Sequence, residues 1–342
     1  MKVNKQKLQE ALEIVKPGLS NKDTIEQATS FAFMKDRVVT YNDEISISHP
    51  VDGLELEGAV IADKLYALLT KLKKDDLDIE VKENELVISS GRSKAGLTFV
   101  AEIKLPLEKV EEKSVWKPLP KGFIKFLKFA MASCGKDASR PILSGVNVTK
   151  EGILESSDGY RIVQCTMEEE MPVQGFLLPA TAATHIVKLE PTMIAEGKGW
   201  VRFKTEGNTV ISSRILAGKY PNINSIVGMV DDVKLVLPKT TSEVLERAAI
   251  FAKRDSALTE EVLVSIADNK LKMKAIADSG EGWFEEDINY KYSDTPIEFA
   301  ITPTLLKSIL GETQECTIDK KKIKFVGNGW FYLIMLRNVK QK

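Results

Sequence analysis

The stretch KGFIKFLKFAMAS, residues 121–133, contains the pattern that recurs along the rest of the chain. Its apolar side chains follow the i, i+3, i+4, i+7 spacing of an amphipathic helix: Phe123, Ile124, Leu127 and Ala130. Three lysines, Lys121, Lys125 and Lys128, are spaced by four and three residues and therefore share the opposite face. The stretch predicts a helix with one buried face and one basic, exposed face.

Equivalent elements occur three times along the chain. Residues 3–15 and 242–253 repeat the apolar spacing of 121–133. A second kind of helix begins near residues 61, 179 and 302, after a strand-like run and with small, hydroxyl or proline residues at its start. A strand–turn–strand hairpin begins near residues 78, 201 and 316. The steps between equivalents range from 115 to 123 residues, close to one third of the 342 residues.

This recurrence predicts an α+β protein built from three copies of one unit, each with two helices and antiparallel sheets. The corresponding domains are residues 1–114, 115–231 and 232–342, joined by linkers at 108–118 and 226–233. Three unrelated α+β domains are the alternative. The recurrence of three kinds of element in one order favours the repeat.

The composition, with 43% apolar and 28% charged residues, is that of an ordinary soluble globular protein. No stretch approaches the roughly 20 apolar residues of a membrane span, and the first residues lack the apolar core of a signal peptide. The three cysteines and two histidines are scattered, which favours reduced thiols and argues against a Cys/His zinc site. We therefore expect a cytoplasmic protein with no membrane contact, no metal and no cofactor.

The formal net charge is −1, from 48 basic and 49 acidic residues, and taken alone it argues against nucleic-acid binding. The charges are unevenly distributed, however, since the predicted helical segments hold 19 basic and 6 acidic residues and the remaining chain holds 29 and 43. These segments are residues 4–16, 61–74, 117–140, 180–189, 239–254 and 302–311. Extending them to six flanking acidic residues lowers the helical excess from +13 to +7.

A single lysine stripe is most often a solvated helix face. Acidic partners at i+4 are expected on such a face, and here they are nearly absent. Six helices with the same bias predict a common basic surface. Such a surface would attract the phosphate backbone without reading bases, and its binding would weaken as salt rises.

The sequence contains no recognisable catalytic constellation, and no catalytic residue is expected. It lacks both a Gly-Lys-Ser/Thr phosphate loop and a Gly-x-Ser-x-Gly nucleophile elbow. Asp158 is a candidate general base, but Asp158-Gly159 is more typical of a tight turn between strands. The carboxylates at 168–170 and 285–287 are consecutive and would alternate faces in a strand, so they do not converge on a metal. His185, on a predicted helix, is expected to be a surface or half-buried residue.

Five segments, in order along the chain, resemble the bacterial-type DNA sliding clamp, the beta subunit of DNA polymerase III. They are SRPILSGV at 139–146, SDGYRI at 157–162, SRILAGKYP at 213–221, LERAAI at 245–250 and YLIMLR at 332–337. The resemblance extends over essentially the whole chain and is clearest from 119 to 337. The resemblance includes phage-encoded versions of this clamp.

The resemblance implies a DNA clamp fold in which two copies form a head-to-tail ring of six similar domains around duplex DNA. It implies a processivity factor of DNA replication that binds double-stranded DNA without sequence preference and has no catalysis of its own. The replicative polymerase and a clamp loader would bind through short peptide motifs. Their site would be a cleft between the second and third domains.

Three sets of residues follow from the resemblance and the charge pattern. The partner-peptide cleft would contain Leu143, Ser157, Gly159, Tyr160, Arg161, Ile162, Pro221, Ile226, Met335, Leu336 and Arg337. The dimer interface would contain Ala95, Leu97, Ile250 and Phe251. DNA would be contacted by Lys22, Lys71, Lys121, Lys125, Lys128, Lys136, Arg140, Arg247, Lys253 and Arg254.

Two features leave alternatives open. The cleft departs from the family, because Asn222-Ile223-Asn224-Ser225 replaces Asp-Tyr-Arg-Arg after Pro221 and the proline of the C-terminal Met-Pro-Met-Arg is absent. Ile250 could equally be an ordinary core residue. A peptide-binding α+β scaffold that does not encircle DNA, and an enzyme that processes nucleic acid, are the alternative functions.

Overall fold

The computed structural model describes residues 1–22, 24–111, 115–278 and 280–337. The chain divides into two compact units. The first unit contains the described residues of 1–131, 145–152 and 168–217, and the second contains those of 132–144, 153–167 and 218–342. No helix in the described ranges is long and apolar enough to span a membrane. The predicted domain boundaries at 114 and 231 stay predictions.

The described residues form seven α-helices. They are α1 Lys5–Val15, α2 Ala62–Lys71, α3 Phe123–Met131, α4 Ala180–Leu189, α5 Asn224–Val227, α6 Thr241–Ala252 and α7 Pro303–Leu310. Six of them confirm the predicted helices, and only the four-residue α5 lacks a sequence signal. The start of α1 is capped by the Asn4 side chain, which accepts a hydrogen bond from the backbone N–H of Lys7.

The helix α3 is shorter than the pattern predicts. It begins at Phe123 because Gly122 has a φ of +84°, a left-handed conformation that glycine adopts without strain. Lys121 therefore precedes the helix, while Lys125 and Lys128 lie on it. The buried face contains Phe123, Leu127 and Ala130, as predicted, whereas Ile124, also predicted for this face, is half-buried.

The helix bounds also correct the predicted charge excess. Within the seven helices there are nine basic and five acidic residues, an excess of +4 rather than +13 or +7. The positive sign is confirmed. Most of the predicted excess lies beside the helices, as at Lys136 and Arg140, because α3 ends at Met131.

The strands outnumber the helices and include all three predicted hairpins. They are β1 Lys2–Asn4, β2 Ser30–Lys35, β3 Arg37–Tyr41, β4 Ile45–Pro50, β5 Leu56–Ile61, β6 Asp76–Lys82, β7 Glu85–Ser90, β8 Ser93–Val100, β9 Lys117–Pro118, β10 Gly145–Val148, β11 Ile153–Ser157, β12 Arg161–Thr166, β13 Phe176–Pro179, β14 Met193–Gly197, β15 Trp200–Lys204, β16 Val210–Arg214, β17 Val233–Val236, β18 Val262–Ala267, β19 Lys270–Ile276, β20 Trp283–Asn289, β21 Ile297–Ile301, β22 Glu315–Ile318, β23 Lys322–Gly327 and β24 Trp330–Met335. The predicted hairpins are β6/β7, β15/β16 and β22/β23.

In the first unit, twelve strands form one sheet in the order β1-β6-β7-β8-β5-β2-β3-β4-β16-β15-β14-β9. The antiparallel pair β4/β16, with Ile47 opposite Ile211, joins the strands of the first repeat to those of the second. The same unit contains the antiparallel pair β10/β13. Helices α1 and α2 pack side by side, as do α3 and α4.

The second unit contains two groups of antiparallel strands. One has the order β11-β12-β24-β23-β22-β17, and the other has the order β20-β19-β18-β21. Helix α6 packs on β19 and β20 and also against α7. The apolar faces of these helices are buried, and each fully buried Leu or Phe side chain contributes roughly 1.5–3 kcal/mol.

Candidate functional site

The turn between β11 and β12 is organised by the Asp158 carboxylate. Its Oδ1 accepts hydrogen bonds from the backbone N–H groups of Tyr160 (3.0 Å) and Arg161 (3.1 Å). Gly159, with a φ of +90°, supplies the left-handed position that the turn requires. Asp158 is therefore the anchor of a tight turn, as predicted, and its carboxylate is fully engaged in holding that turn.

The Arg161 side chain ties this turn to two other segments. Its Nε donates to Asp158 Oδ2 at 2.9 Å, its Nη2 donates to the Ala132 carbonyl at 2.7 Å, and its Nη1 donates to the Tyr332 hydroxyl at 3.1 Å. Both members of the ion pair are largely buried, with 14% of the Arg161 side chain and 5% of the Asp158 side chain exposed. Burial opposes the charge of Arg161, but Tyr332 and Asp158 raise the pKa of its guanidinium.

Ile162 of β12 and Met335 of β24, two of the predicted cleft residues, share one face of the sheet, whereas Arg161, next to Ile162, points to the other face. In the antiparallel register Ser157 lies opposite Ile162, and Ile162 lies opposite Leu333. Met335, two residues further along β24, points to the same side, because side chains alternate along a strand. The strand pairing therefore brings residues far apart in sequence onto one continuous surface.

Helix α5 lies against this same face and completes the surface. Lys322 and Lys324 of β23 lie opposite Met335 and Leu333. The Lys322 Nζ donates to the Ile226 carbonyl at 2.8 Å and also bonds the Gly228 carbonyl, and the Lys324 Nζ donates to the Val227 carbonyl at 3.4 Å. Two lysines thus hold the carbonyl end of α5 and leave the Ile226 side chain 41% exposed.

The rim of this surface is formed by Tyr160, Arg337 and the segment around Leu143. The Arg337 guanidinium lies 5.9 Å from the centre of the Tyr160 ring, and the Met335 backbone N–H donates to the Tyr160 carbonyl at 2.8 Å. Leu143 is half-buried, and its carbonyl accepts from the Gly135 N–H at 2.7 Å. The structure therefore places all the predicted cleft residues within the second unit. Of these, Ser157 and Ile162 are buried, Gly159, Pro221 and Ile226 are exposed, and the others are half-buried.

Arg140, predicted as a DNA contact, lies beside this cleft. A Cβ atom at Gly159 would lie 2.8 Å from the Nη1 of Arg140. The Arg140 Nε also forms an ion pair with Asp137 at 3.2 Å. Its guanidinium is thus already held at the Asp158–Gly159 turn.

The ten predicted DNA contacts divide by residue type. All three arginines are ion-paired: Arg140 with Asp137, Arg247 with Glu286, and Arg254 with Asp278. The seven lysines are exposed, and in the described part of the chain they make no ion pair. These lysines are Lys22, Lys71, Lys121, Lys125, Lys128, Lys136 and Lys253.

The predicted dimer residues are accessible in the single chain. Ile250 on α6 is 65% exposed, which excludes the alternative that it is a core residue within its own chain. Phe251 stacks on Phe284 of β20, with ring centres 6.1 Å apart and planes 20° apart. Ala95 and Leu97 are half-buried on one face of β8. Trp283, which the sequence pattern did not single out, is 66% exposed.

The thiols and carboxylates behave as structural groups. The three cysteines are buried and form no disulfide, and burial raises the pKa of Cys134 and of Cys316 to about 12. The carboxylates 285–287 lie on β20 and pair with basic residues, including Lys272 with Glu285 at 2.9 Å. Among the residues that the structure describes, no group of three His, Cys, Asp or Glu side chains could hold a metal ion.

Lys322 and Lys324 belong to the candidate site through their bonds to α5, which the sequence pattern did not reveal. They lie in the run KKKIK at 320–324, which reads as a solvated basic strand. Alternation along the strand does show that both lysines share one face. It does not show that α5 lies on that face, because α5 is close to them only through the tertiary fold.

Comparisons with known proteins agree with this geometry. The family model for the central domain of the DNA polymerase III beta subunit matches residues 119–222 of this chain. A beta sliding clamp from Rickettsia felis is 25% identical over 228 residues, which cover 60% of this chain and 59% of that protein. A beta sliding clamp from Pseudomonas aeruginosa is 24% identical over 290 residues, which cover 79% of this chain and 75% of that protein.

A solved structure extends the match to nearly the whole chain. The sliding clamp (DNA polymerase III subunit beta) from Bartonella birtlesii, bound to griselimycin, aligns with a TM-score of 0.85 and 19% identity over 99% of both chains. At this identity the match shows the fold, and it confirms the predicted clamp fold.

Proposed function

We infer that this chain is a DNA sliding clamp of the bacterial DNA polymerase III beta-subunit type, a processivity factor that is not itself an enzyme. The observation that carries the inference is the agreement of fold with a solved sliding clamp over 99% of both chains. The similarity to proteins described as beta sliding clamps supports it independently at the level of sequence. We place its action on DNA in the bacterial cytoplasm.

Exposed lysines on and beside the helices suit the DNA contact of such a clamp. A protein that slides along duplex DNA needs attraction to phosphates without bonds to particular bases, because base-specific bonds would fix it in one register. Lys121, Lys125 and Lys128 provide positive charge without an acidic neighbour on the same stretch. The contact is therefore sequence-independent and weakens as salt rises.

Two copies would close the ring through sheet edges that are open in the single chain. Strand β20 pairs only with β19, and β8 meets β5 only at Phe99 and Val100, so the described strands leave one edge of 93–98 unpaired. Open edges with exposed apolar side chains favour association. Ile250, Phe251 and Trp283 lie at or beside β20. A head-to-tail dimer that pairs the β8 edge of one copy with the β20 edge of the other would bury them.

The half-buried surface around Ile226 is the proposed site for partner peptides. An apolar surface with a few fixed polar groups suits a short extended or helical segment with apolar anchors. The polymerase and a clamp loader would compete for it. Ser225 and Asn224, which replace the two arginines of the family, make the surface less basic, so we expect a weaker preference for acidic peptides.

Topological retention on DNA tests the proposed function directly. The protein is loaded onto nicked circular DNA and separated from free protein, and the DNA is then cut once. We expect the protein to stay on the circle at raised salt and to leave after linearisation, because a ring slides off a free end. A protein that stays equally well on cut and uncut DNA would be an ordinary binder rather than a clamp.

Substitution of Ile226 by aspartate tests the peptide site. We expect Ile226→Asp to weaken ligand binding about 10-fold or more, because a central apolar contact typically contributes more than ~1 kcal/mol. Griselimycin, bound in the structure of the Bartonella birtlesii clamp, is a ready probe for titration calorimetry. Val230→Asp is the matched control, since Val230 is 69% exposed on the same segment but outside the predicted cleft. Equal losses in both variants would argue against the proposed site.

A further inference from the structure

The three pairs of packed helices differ in charge. The pair α3/α4 has three basic residues, Lys125, Lys128 and Lys188, and no acidic one. The pair α1/α2 has four basic and three acidic residues. The pair α6/α7 has two of each sign and is neutral. A contact with phosphate that depends on charge would therefore differ among the three pairs.

The two basic residues of α6 and α7 are each held by an acidic partner. The Arg247 guanidinium donates two hydrogen bonds to the Glu286 carboxylate, from Nε at 2.8 Å and from Nη2 at 2.7 Å. Lys307 of α7 pairs with Glu246 of α6 at 2.5 Å. The bond from Glu286 raises the pKa of Arg247, and the bond from Arg247 lowers the pKa of Glu286. Both groups therefore stay charged and paired over the physiological pH range.

Arg254, just after α6, is restrained in a similar way. Its Nε lies 3.5 Å from the Asp278 carboxylate, and its Nη2 donates to the Ile276 carbonyl at 3.1 Å. The Arg254 side chain is 21% exposed, whereas the Asp278 side chain is 80% exposed. A phosphate approaching Arg254 would meet the Asp278 charge first.

The lysines on α3 and just before it have no such partner. Lys121, Lys125 and Lys128 make no ion pair with any residue that the structure describes, and all three are exposed. The Lys125 Nζ lies 6.0 Å from the centre of the Phe126 ring, at the outer limit of a cation–π contact. Their charge is therefore available to an external anion.

Arginine and lysine bind phosphate differently. Arginine forms a planar two-point contact, while the lysine ammonium is a compact charge without a fixed direction. A sliding contact needs many exchangeable charge interactions and few directional ones. Pairing the arginines internally and leaving the lysines free produces such a contact.

We propose that duplex DNA is held mainly by the lysine face of α3/α4, and that Glu286 and Asp278 keep Arg247 and Arg254 from binding phosphate. This proposal rests on the proposed clamp function. It predicts that releasing Arg247 strengthens DNA binding.

Neutral substitutions separate the two surfaces. The probe is a short fluorescent duplex, and binding is measured by anisotropy over a series of salt concentrations, with dimer mass checked for every variant. We expect Lys121→Gln/Lys125→Gln/Lys128→Gln to weaken binding about 10-fold or more and to lower the salt slope by about three, roughly one per lost phosphate contact. Arg247→Gln/Glu286→Gln, which removes both charges of the pair, should change affinity less than about twofold, because the pair has no net charge, and Arg247→Gln alone should weaken binding much less than the triple lysine variant.

Glu286→Gln should change DNA affinity in the opposite direction to the triple lysine variant. It frees the Arg247 guanidinium, so we expect affinity to rise several-fold and the salt slope to increase by about one. If Arg247→Gln weakens binding as much as the triple lysine variant, the proposal is wrong. Failure of the proposed function looks different, since the unmodified protein would then be retained equally well on cut and on uncut circular DNA.

Discussion

Replacing Ile250 with aspartate should convert the dimer into monomers. Ile250 is 65% exposed on α6 in the single chain, beside the Phe251–Phe284 stack and the open β20 edge. In the proposed head-to-tail dimer it is buried at both contacts. An unpaired carboxylate buried at the interface costs about 3 kcal/mol at each of the two contacts. The dimer dissociation constant should therefore rise by about four orders of magnitude.

Mass in solution measures this effect. Light scattering after gel filtration should give about twice 38.0 kDa for the unmodified chain and 38.0 kDa for Ile250→Asp. Val326→Asp is the matched control, because Val326 is 60% exposed on β23 and lies outside the proposed interface. A dimer that survives Ile250→Asp would remove Ile250 from the interface, and a monomeric unmodified chain would speak against the ring.

Removing the Arg161 side chain should produce the largest loss of folding stability at the partner surface. In Arg161→Ala, the Asp158 carboxylate stays 95% buried but loses its counter-charge. The Ala132 carbonyl and the Tyr332 hydroxyl lose a donor as well. Breaking a buried ion pair by removing one partner typically costs about 3–5 kcal/mol, and we expect a loss of free energy of unfolding in that range.

A double substitution distinguishes an unpaired charge from lost packing. Asp158→Asn keeps an oxygen for the N–H groups of Tyr160 and Arg161 but removes the buried charge. We therefore expect Arg161→Ala/Asp158→Asn to be more stable than Arg161→Ala alone, so that the two effects are not additive. Urea unfolding of the four proteins measures the cycle. Simple addition of the two losses would mean that the ion pair contributes little.

Much of the fold could be predicted from local patterns. The apolar spacing in 121–133 and its equivalents predicts the six long helices, and period-two alternation predicts the hairpins β6/β7, β15/β16 and β22/β23. These patterns work because a helix or strand must present one apolar face to a core, and the spacing of that face is fixed by backbone geometry. Helix ends were less predictable, since Gly122 rather than a change of polarity sets the start of α3.

The candidate site was predictable in position but not in detail. Segments that resemble the clamp family indicate the cleft at Tyr160, Ile162 and Met335, and the strand register brings these residues together. The role of Lys322 and Lys324 in holding α5 was hidden. Each bonds a carbonyl more than 90 positions away in sequence, a separation that no local pattern encodes.

The charged residues show most clearly what the sequence determined and what the tertiary structure decided. By itself, the sequence determined that basic residues favour the helices and their flanks, which was correct in sign although the excess within the helices is +4. Only the tertiary structure decided which charges are available. Arg247 and Glu286 are 39 positions apart and meet because α6 packs on β20, while no described acidic residue pairs with the α3 lysines. The physical reason is that an ion pair requires two groups within about 4 Å, and long-range packing, rather than composition, sets that distance.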